Sequence, residues 1–284
     1  MKSNKLLKFI SSFALSIVLM LGLATPSFAA STGTNSTTTL NLMAAASTRY
    51  TLGERQNGVY PSGTLLRTFE DQNPNTKVNV TYDSSGNLLN QMEADPNHTA
   101  DIFISADLAR MNSAVTANII QSSTVYNLLN NQLVLIAKSN SGITNLQYSG
   151  VLNWLNGDAN RTIAVGDPAV VPAGTYTQQV FGTQWNDILT HATEYSNVTA
   201  VLTAVVNGVN QLGSVYATDA KTQGSNLTVL DSQDVNIIYP IGITNAAMND
   251  TVRKPAAQAL VDLLKADIVN PDGVFQTAGF SPAQ

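Results

Sequence analysis

Polar and apolar residues alternate from Lys77 to Tyr82, placing Val78, Val80 and Tyr82 on one face, the period-two pattern of a half-buried strand. Similar runs predict strands at Leu40 to Ala46, 101–107 (DIFISAD), 132–138 (QLVLIAK), 162–166 (TIAVG), 212–217 (LGSVYA), 226–230 (NLTVL) and 236–244 (NIIYPIGIT). Leu88, Leu89 and Met92 recur at helical spacing, and further helices are predicted at about 108–118, 149–155, 174–189, 198–208, 254–266 and 271–278. Strands alternating with helices imply an α/β chain with mostly parallel sheets, because parallel neighbours need crossover helices. The number of apolar strands points to two sheets.

One interval breaks the rhythm. Between Ser47 and Ser84 the chain crowds Gly53, Gly58, Pro61 and Gly63 before any helical pattern, so a long loop is expected, with a helix starting near Gly63 that buries Leu65, Leu66 and Phe69.

The first 29 residues read as a targeting segment. Lys2, Lys5 and Lys8 precede an apolar run from Phe9 to Leu23, and Ser27-Phe28-Ala29 offers the small residues of a cleavage site after Ala29. The run is about 15 residues long, short of the roughly 20 that span a bilayer. Residues 30–39, mostly Ser and Thr, read as a disordered linker. An exported chain without an anchor is expected in a bacterial periplasm, and the absence of cysteine excludes disulfides, cysteine metal sites and an N-terminal lipid anchor. Removing three of 14 cationic residues and none of 19 acidic ones leaves a mature net charge of −8, which argues against nucleic acid as a partner.

Candidate chemistry gathers where strands hand over to helices. The stretch "GDPAVVPAGTY" (166–176) follows an apolar strand, and the helix expected after it opens with unpaired N–H groups and a positive dipole end, a natural seat for an anion. Similar junctions follow other strands: Ser47 after the first, Ser84-Ser85-Gly86 after the second, and Ser196-Asn197-Val198 before "VTAVLTAVV". In parallel sheets such ends share the carboxyl edge, where ligands bind. Taken singly, each is as well explained by helix capping or, at Ala173, by a turn between Pro172 and Gly174. Tyr216 reads as half-buried core, and Asp101 and Asp107 as caps or strand-end solubilisers.

The order of "AAAS" (44–47), "SSGNLLNQMEA" (84–94), "ADIFISAD" (100–107), "AVGDPAVVPAGTY" (164–176), "LGSVYATDA" (212–220), "YPIGIT" (239–244) and the final "GF" (279–280) resembles periplasmic molybdate-binding proteins of ABC transporters. That resemblance implies a two-lobed periplasmic solute-binding fold, each lobe a mostly parallel sheet flanked by helices. Two hinge crossovers would lie near Gln132 to Leu135 and Tyr239 to Ile241. Lobe one would comprise residues 40–132 plus 240–284, and lobe two residues 133–239.

It further implies a non-enzymatic monomer, without a cofactor, that delivers molybdate or tungstate to a membrane permease. The oxyanion would be held by Ser47, Ser85, the Ala173 and Val198 amides and Tyr216, with the metal reached only through its oxygens. Neutral donors suffice for a dianion, since each hydrogen bond to a charged group is worth roughly 1.5–3 kcal/mol. A donor-only site offers no acceptor to hydrogen phosphate, and a larger cavity would leave donors unpaired around sulfate. Asp83 and Gly86 depart from the family pattern, and an Asp83 carboxylate in the site would repel a dianion.

Other readings remain open: a binding protein for sulfate or phosphate, a sensory domain, or an exported hydrolase. The last would need a base, and His98 and His191, the only histidines, sit in no recognisable triad motif.

Overall fold

The computed structural model describes residues 37–283; the segment read as a signal peptide and most of the linker lie outside the described residues. The chain opens with β1 (Thr38–Ala45), α1 (Arg49–Leu52), α2 (Leu65–Gln72), β2 (Thr76–Asp83), α3 (Ser85–Ala94), β3 (Ile102–Ile104), α4 (Leu108–Thr116) and β4 (Tyr126–Lys138). It continues through α5 (Val151–Asn156), β5 (Ile163–Gly166), α6 (Pro172–Phe181), α7 (Trp185–Leu189), β6 (Ala192–Tyr195), α8 (Val198–Val206), β7 (Leu212–Tyr216) and α9 (Ala217–Lys221). It ends with β8 (Leu227–Ile243), α10 (Asn245–Met248), α11 (Arg253–Val269), α12 (Val274–Ala278) and β9 (Ser281–Pro282).

The strands pair in the order β2-β1-β3-β8-β4-β7-β5-β6, with β9 on β4. Two parallel triads are embedded in this path. In one, β1 lies between β2 and β3; in the other, β5 lies between β6 and β7. Between the triads run two long antiparallel strands, β4 and β8, which join them. The expectation of two separate sheets is therefore corrected to two parallel triads welded through β4 and β8. Strand β5 is buried on both faces as a continuous apolar run, Ile163 to Val165, whereas β1 buries Leu40, Leu42 and Ala44 on one face and leaves Asn41 and Met43 half-buried on the other.

Several boundaries differ from the sequence reading. Strands expected at 226–230 and 236–244 are one 17-residue strand, because backbone pairing to β4 carries it through the polar stretch Asp231 to Asp234. Likewise β4 starts six residues before the expected Gln132, and β1 starts at Thr38, paired with Thr76. The DIFISAD strand shrinks to Ile102–Ile104. The helix expected at 174–189 is broken in two by Gly182, which has φ of +55°, a conformation that costs other residues energy. Strand β6 and helices α9 and α10 were not foreseen, being four or five residues each.

The interval after Ser47 is also corrected. A 3-10 turn, Ala46–Thr48, runs straight into α1, so Ser47 enters a helix and only the residues from Gly53 onward form the loop. That loop is fastened along β2, its first residue Gly53 accepting the Tyr82 hydroxyl proton near the strand's carboxyl end and the rest reaching Val78. Tyr60 donates its hydroxyl proton to the Val78 carbonyl at 2.8 Å, and Arg55 pairs with buried Glu70, which also accepts from the Val78 amide.

Candidate ligand-binding site

The carboxyl ends of β1, β2, β5, β6 and β7 lead directly into Ser47, Ser85, α6, α8 and Tyr216. Ser47, Ser85, Val198 and Tyr216 line one cavity, together with Pro172 at the start of α6. Ala173, the fifth residue expected there, is fully buried in the first turn of α6 beside Pro172. The structure thus brings four of the five to a common wall and sets the fifth one residue behind it. The cavity has a volume of about 10 Å³, roughly the room of one water molecule, so a tetrahedral ligand enters only as its walls part. That volume lends nothing to discrimination by size; selectivity must be argued from the donors.

Those donors are organised from behind. Ser85 Oγ accepts the Ala106 amide at 2.8 Å, which leaves its own proton to give. Ser47 Oγ lies 2.9 Å from the Tyr239 hydroxyl, and Tyr239 in turn accepts from Asn131 Nδ2 at 3.3 Å. Either hydroxyl of this pair can donate; with Tyr239 as the donor, Ser47 keeps its own proton for the cavity. Helix α6 has no side-chain cap; Pro172 carries no N–H and the Gly174 and Thr175 amides donate to the Val171 carbonyl at 2.9 and 3.2 Å, so the Ala173 amide is the one its first turn leaves to an acceptor. In α8, Asn197 caps the Ala200 amide at 3.0 Å and leaves that of Val198 to the cavity it lines.

Tyr216 is 1% exposed, and among the described residues its hydroxyl makes no hydrogen bond of good geometry, the Tyr239 hydroxyl being its neighbour; burial raises its pKa well above the ordinary tyrosine value, so it is a neutral donor. A buried polar group left unpaired costs about 1–3 kcal/mol. The simple core role open to it in the sequence does not account for that cost.

Asp83 is half-buried on the cavity wall, and its direction is now defined. Its Oδ1 accepts the Ser84 amide at 2.7 Å and Asn87 Nδ2 at 3.3 Å, so the carboxylate is engaged by the start of α3. Asp107 is the cap expected of it, accepting the Arg110 amide at 2.8 Å, whereas Asp101 forms a buried ion pair with Arg253 at 2.8 Å. Neither histidine lines the cavity. Sequence reasoning missed Tyr239, Asn131 and Arg110. Tyr239 stood in a recognised motif, and the Asp107-to-Arg110 spacing was a readable capping pair; Asn131 gave no signal.

Two parallel triads joined by two shared strands, with the carboxyl ends of both reaching one cavity, are the architecture of a two-lobed solute-binding protein. Residues 61–280 match the model of the bacterial extracellular solute-binding protein family, and the chain belongs to that family. It is 29% identical to the molybdate-binding protein ModA of Haemophilus influenzae, over 65% of this chain and 74% of that one. To ModA of Escherichia coli it is 27% identical, over 85% of this chain and 97% of that one. The periplasmic molybdate-binding protein of Azotobacter vinelandii has a similar fold, with a TM-score of 0.64 at 19% identity, covering 86% of this chain and 100% of that one.

Proposed function

We propose that the protein is an extracytoplasmic molybdate-binding component of an ABC transporter. In this reading it captures molybdate, or the isosteric tungstate, between its lobes and presents it to a membrane permease. The ligands are the hydroxyls of Ser47, Ser85 and Tyr216 and the amides of Ala173 and Val198. Lobe one comprises residues 40–132 plus 240–284 and lobe two residues 133–239. The irregular pairing of Asn131 and Leu133 with Ile237 and Gln233 supports a bend close to the first crossover. The chain acts after export, as a monomer, without a cofactor and without catalysis.

The observation that carries this reading is the Tyr216 hydroxyl, buried on the wall of a cavity shared with Ser47, Ser85 and the start of α8, whose one carboxylate, Asp83, accepts from the Ser84 amide and Asn87. An oxyanion oxygen supplies the one acceptor it needs. The names of the relatives favour molybdate among oxyanions.

Calorimetric titration of the chain from Ala30 onward with molybdate, tungstate, sulfate and phosphate tests the reading. Tight binding of the first two alone is expected; binding of sulfate or phosphate instead would overturn the ligand and keep the site. Tyr216→Phe should weaken molybdate binding by roughly 1.5–3 kcal/mol, the value of one hydrogen bond to a charged group. Unchanged affinity would return Tyr216 to the core. A hundredfold excess of molybdate over its dissociation constant should raise the unfolding free energy by about 2.7 kcal/mol, read as a shift in Tm.

A further inference from the structure

Arg110 stands in the first turn of α4, with its side chain 15% exposed. Its guanidinium reaches the segment that leads from β5 into α6. Nη2 donates to the carbonyls of Pro168 at 2.9 Å and Ala169 at 3.1 Å, and Nη1 to Thr175 Oγ1 at 3.2 Å. Asp107 holds the guanidinium in place, with Oδ2 at 2.6 Å from Nη1. Thr175 closes the arrangement by donating to the same Pro168 carbonyl at 3.0 Å. A few residues away, the Gly86 amide of α3 donates to the Val170 carbonyl at 2.9 Å.

Every acceptor but Asp107 lies beyond β4 in the chain, on the opposite side of the cavity from α3 and α4. Pro168, Ala169 and Thr175 bracket Pro172 and Ala173, so the same contacts fix the turn whose Ala173 amide is offered to the ligand. We infer that Arg110 is the latch of the cleft, a positioning residue that pins the 167–175 segment against α4 and so sets how long an oxyanion stays bound. This inference rests on the oxyanion reading above.

Two physical features separate a latch from a charge that merely attracts anions. The guanidinium is neutralised by Asp107 at close range, so its contribution to long-range steering is small. Its planar fork matches two adjacent carbonyls and a hydroxyl, which an ammonium of one point charge cannot do. Loss of the latch lowers the closed population and therefore acts on dissociation.

Stopped-flow binding of molybdate to the chain from Ala30 onward, compared among wild type, Arg110→Met, Arg110→Lys and Thr175→Val, tests this. Arg110→Met should raise the dissociation rate about ten- to hundredfold, the loss of one or more hydrogen bonds to a charged group. Arg110→Lys should restore only part of it. Thr175→Val, on the other side, should raise it less, and the double variant should show less than the product of the two effects. The association rate and the preference for molybdate over sulfate should not move.

A slower association with unchanged dissociation would overturn the latch in favour of an attractor. Dissociation rates equal to wild type in both Arg110→Met and Thr175→Val would overturn it outright. No molybdate binding by the wild type would overturn the oxyanion reading and the latch with it.

Discussion

Replacing Asp219 by Asn should stabilise the protein by up to about 4 kcal/mol at pH 8 and change it little near pH 4. Asp219 lies in the first turn of α9, 1% exposed, and among the described residues neither carboxylate oxygen has a hydrogen bond of good geometry, the Tyr216 amide being the nearest donor. Burial pushes its pKa up from 3.8 to about 7, and the Tyr216 amide nearby offsets only part of that rise. Below pH 3.8 the carboxyl is protonated in both folded and unfolded chains and contributes no difference. Between about pH 4 and 7 the unfolded chain ionises while the folded one keeps its proton, so stability falls as pH rises. Above pH 7 the folded group ionises too and the loss is complete.

A shift of about three units, at roughly 1.4 kcal/mol each, gives the expected size. Denaturant unfolding of wild type and Asp219→Asn from pH 4 to 8 reads it directly. Parallel profiles would mean that the carboxylate finds a donor in solution.

Gly86→Ala should separate stability from binding, with opposite signs. In the structure a methyl group at Gly86 would lie 2.6 Å from both the Cα and the carbonyl oxygen of Val170. These are backbone atoms and cannot swing aside. Gly86 is helical, in the first turn of α3, so alanine suits the local backbone and would favour the helix by up to about 1 kcal/mol. In the ligand-free chain, with the lobes apart, the substitution should be neutral or stabilising. With ligand, the lobes must stop short of contact, and overpacking of this kind costs about 3 kcal/mol, a loss of roughly a hundredfold in molybdate affinity.

Titration calorimetry and ligand-free Tm measured on the same variant decide it. Undiminished affinity would show that α3 and the Val170 segment do not need to meet for binding.

Much of the site was legible in the sequence because it sits at strand ends. The apolar runs at 162–166 and 212–217 end abruptly, and the residues just past the carboxyl end of a parallel strand form a wall of the cleft. Ser85, Ala173 and Val198 were singled out this way without a knowledge of their neighbours; Ser85 and Val198 line the cavity and Ala173 lies one residue behind it. Ser47 was placed correctly but given the wrong surroundings, since one turn of 3-10 helix and one of α-helix leave no periodic trace.

The parts that were not legible depend on distant partners. Tyr239 meets Ser47 across 192 positions and Arg110 meets Pro168 across 58, and no local pattern encodes either contact. Strand β8 escaped for a related reason. Asp231, Ser232, Gln233 and Asp234 look like a loop, but pairing with β4 makes them strand, so tertiary context overrides propensity.

The continuity of β8 has a consequence for how the chain is made. Strand β3 has β1 on one edge and β8 on the other, and β4 is flanked by β8 and β7, so the N-terminal lobe stays incomplete until residues 227–243 emerge. Every nascent chain shorter than that carries open strand edges, the surfaces through which partly made proteins aggregate. Pairing over such sequence separations is slow, so the full sheet forms only after these residues are made. A topology that delays folding in this way suits a protein whose family works outside the cytoplasm, because a chain that must be threaded across a membrane has to arrive there unfolded.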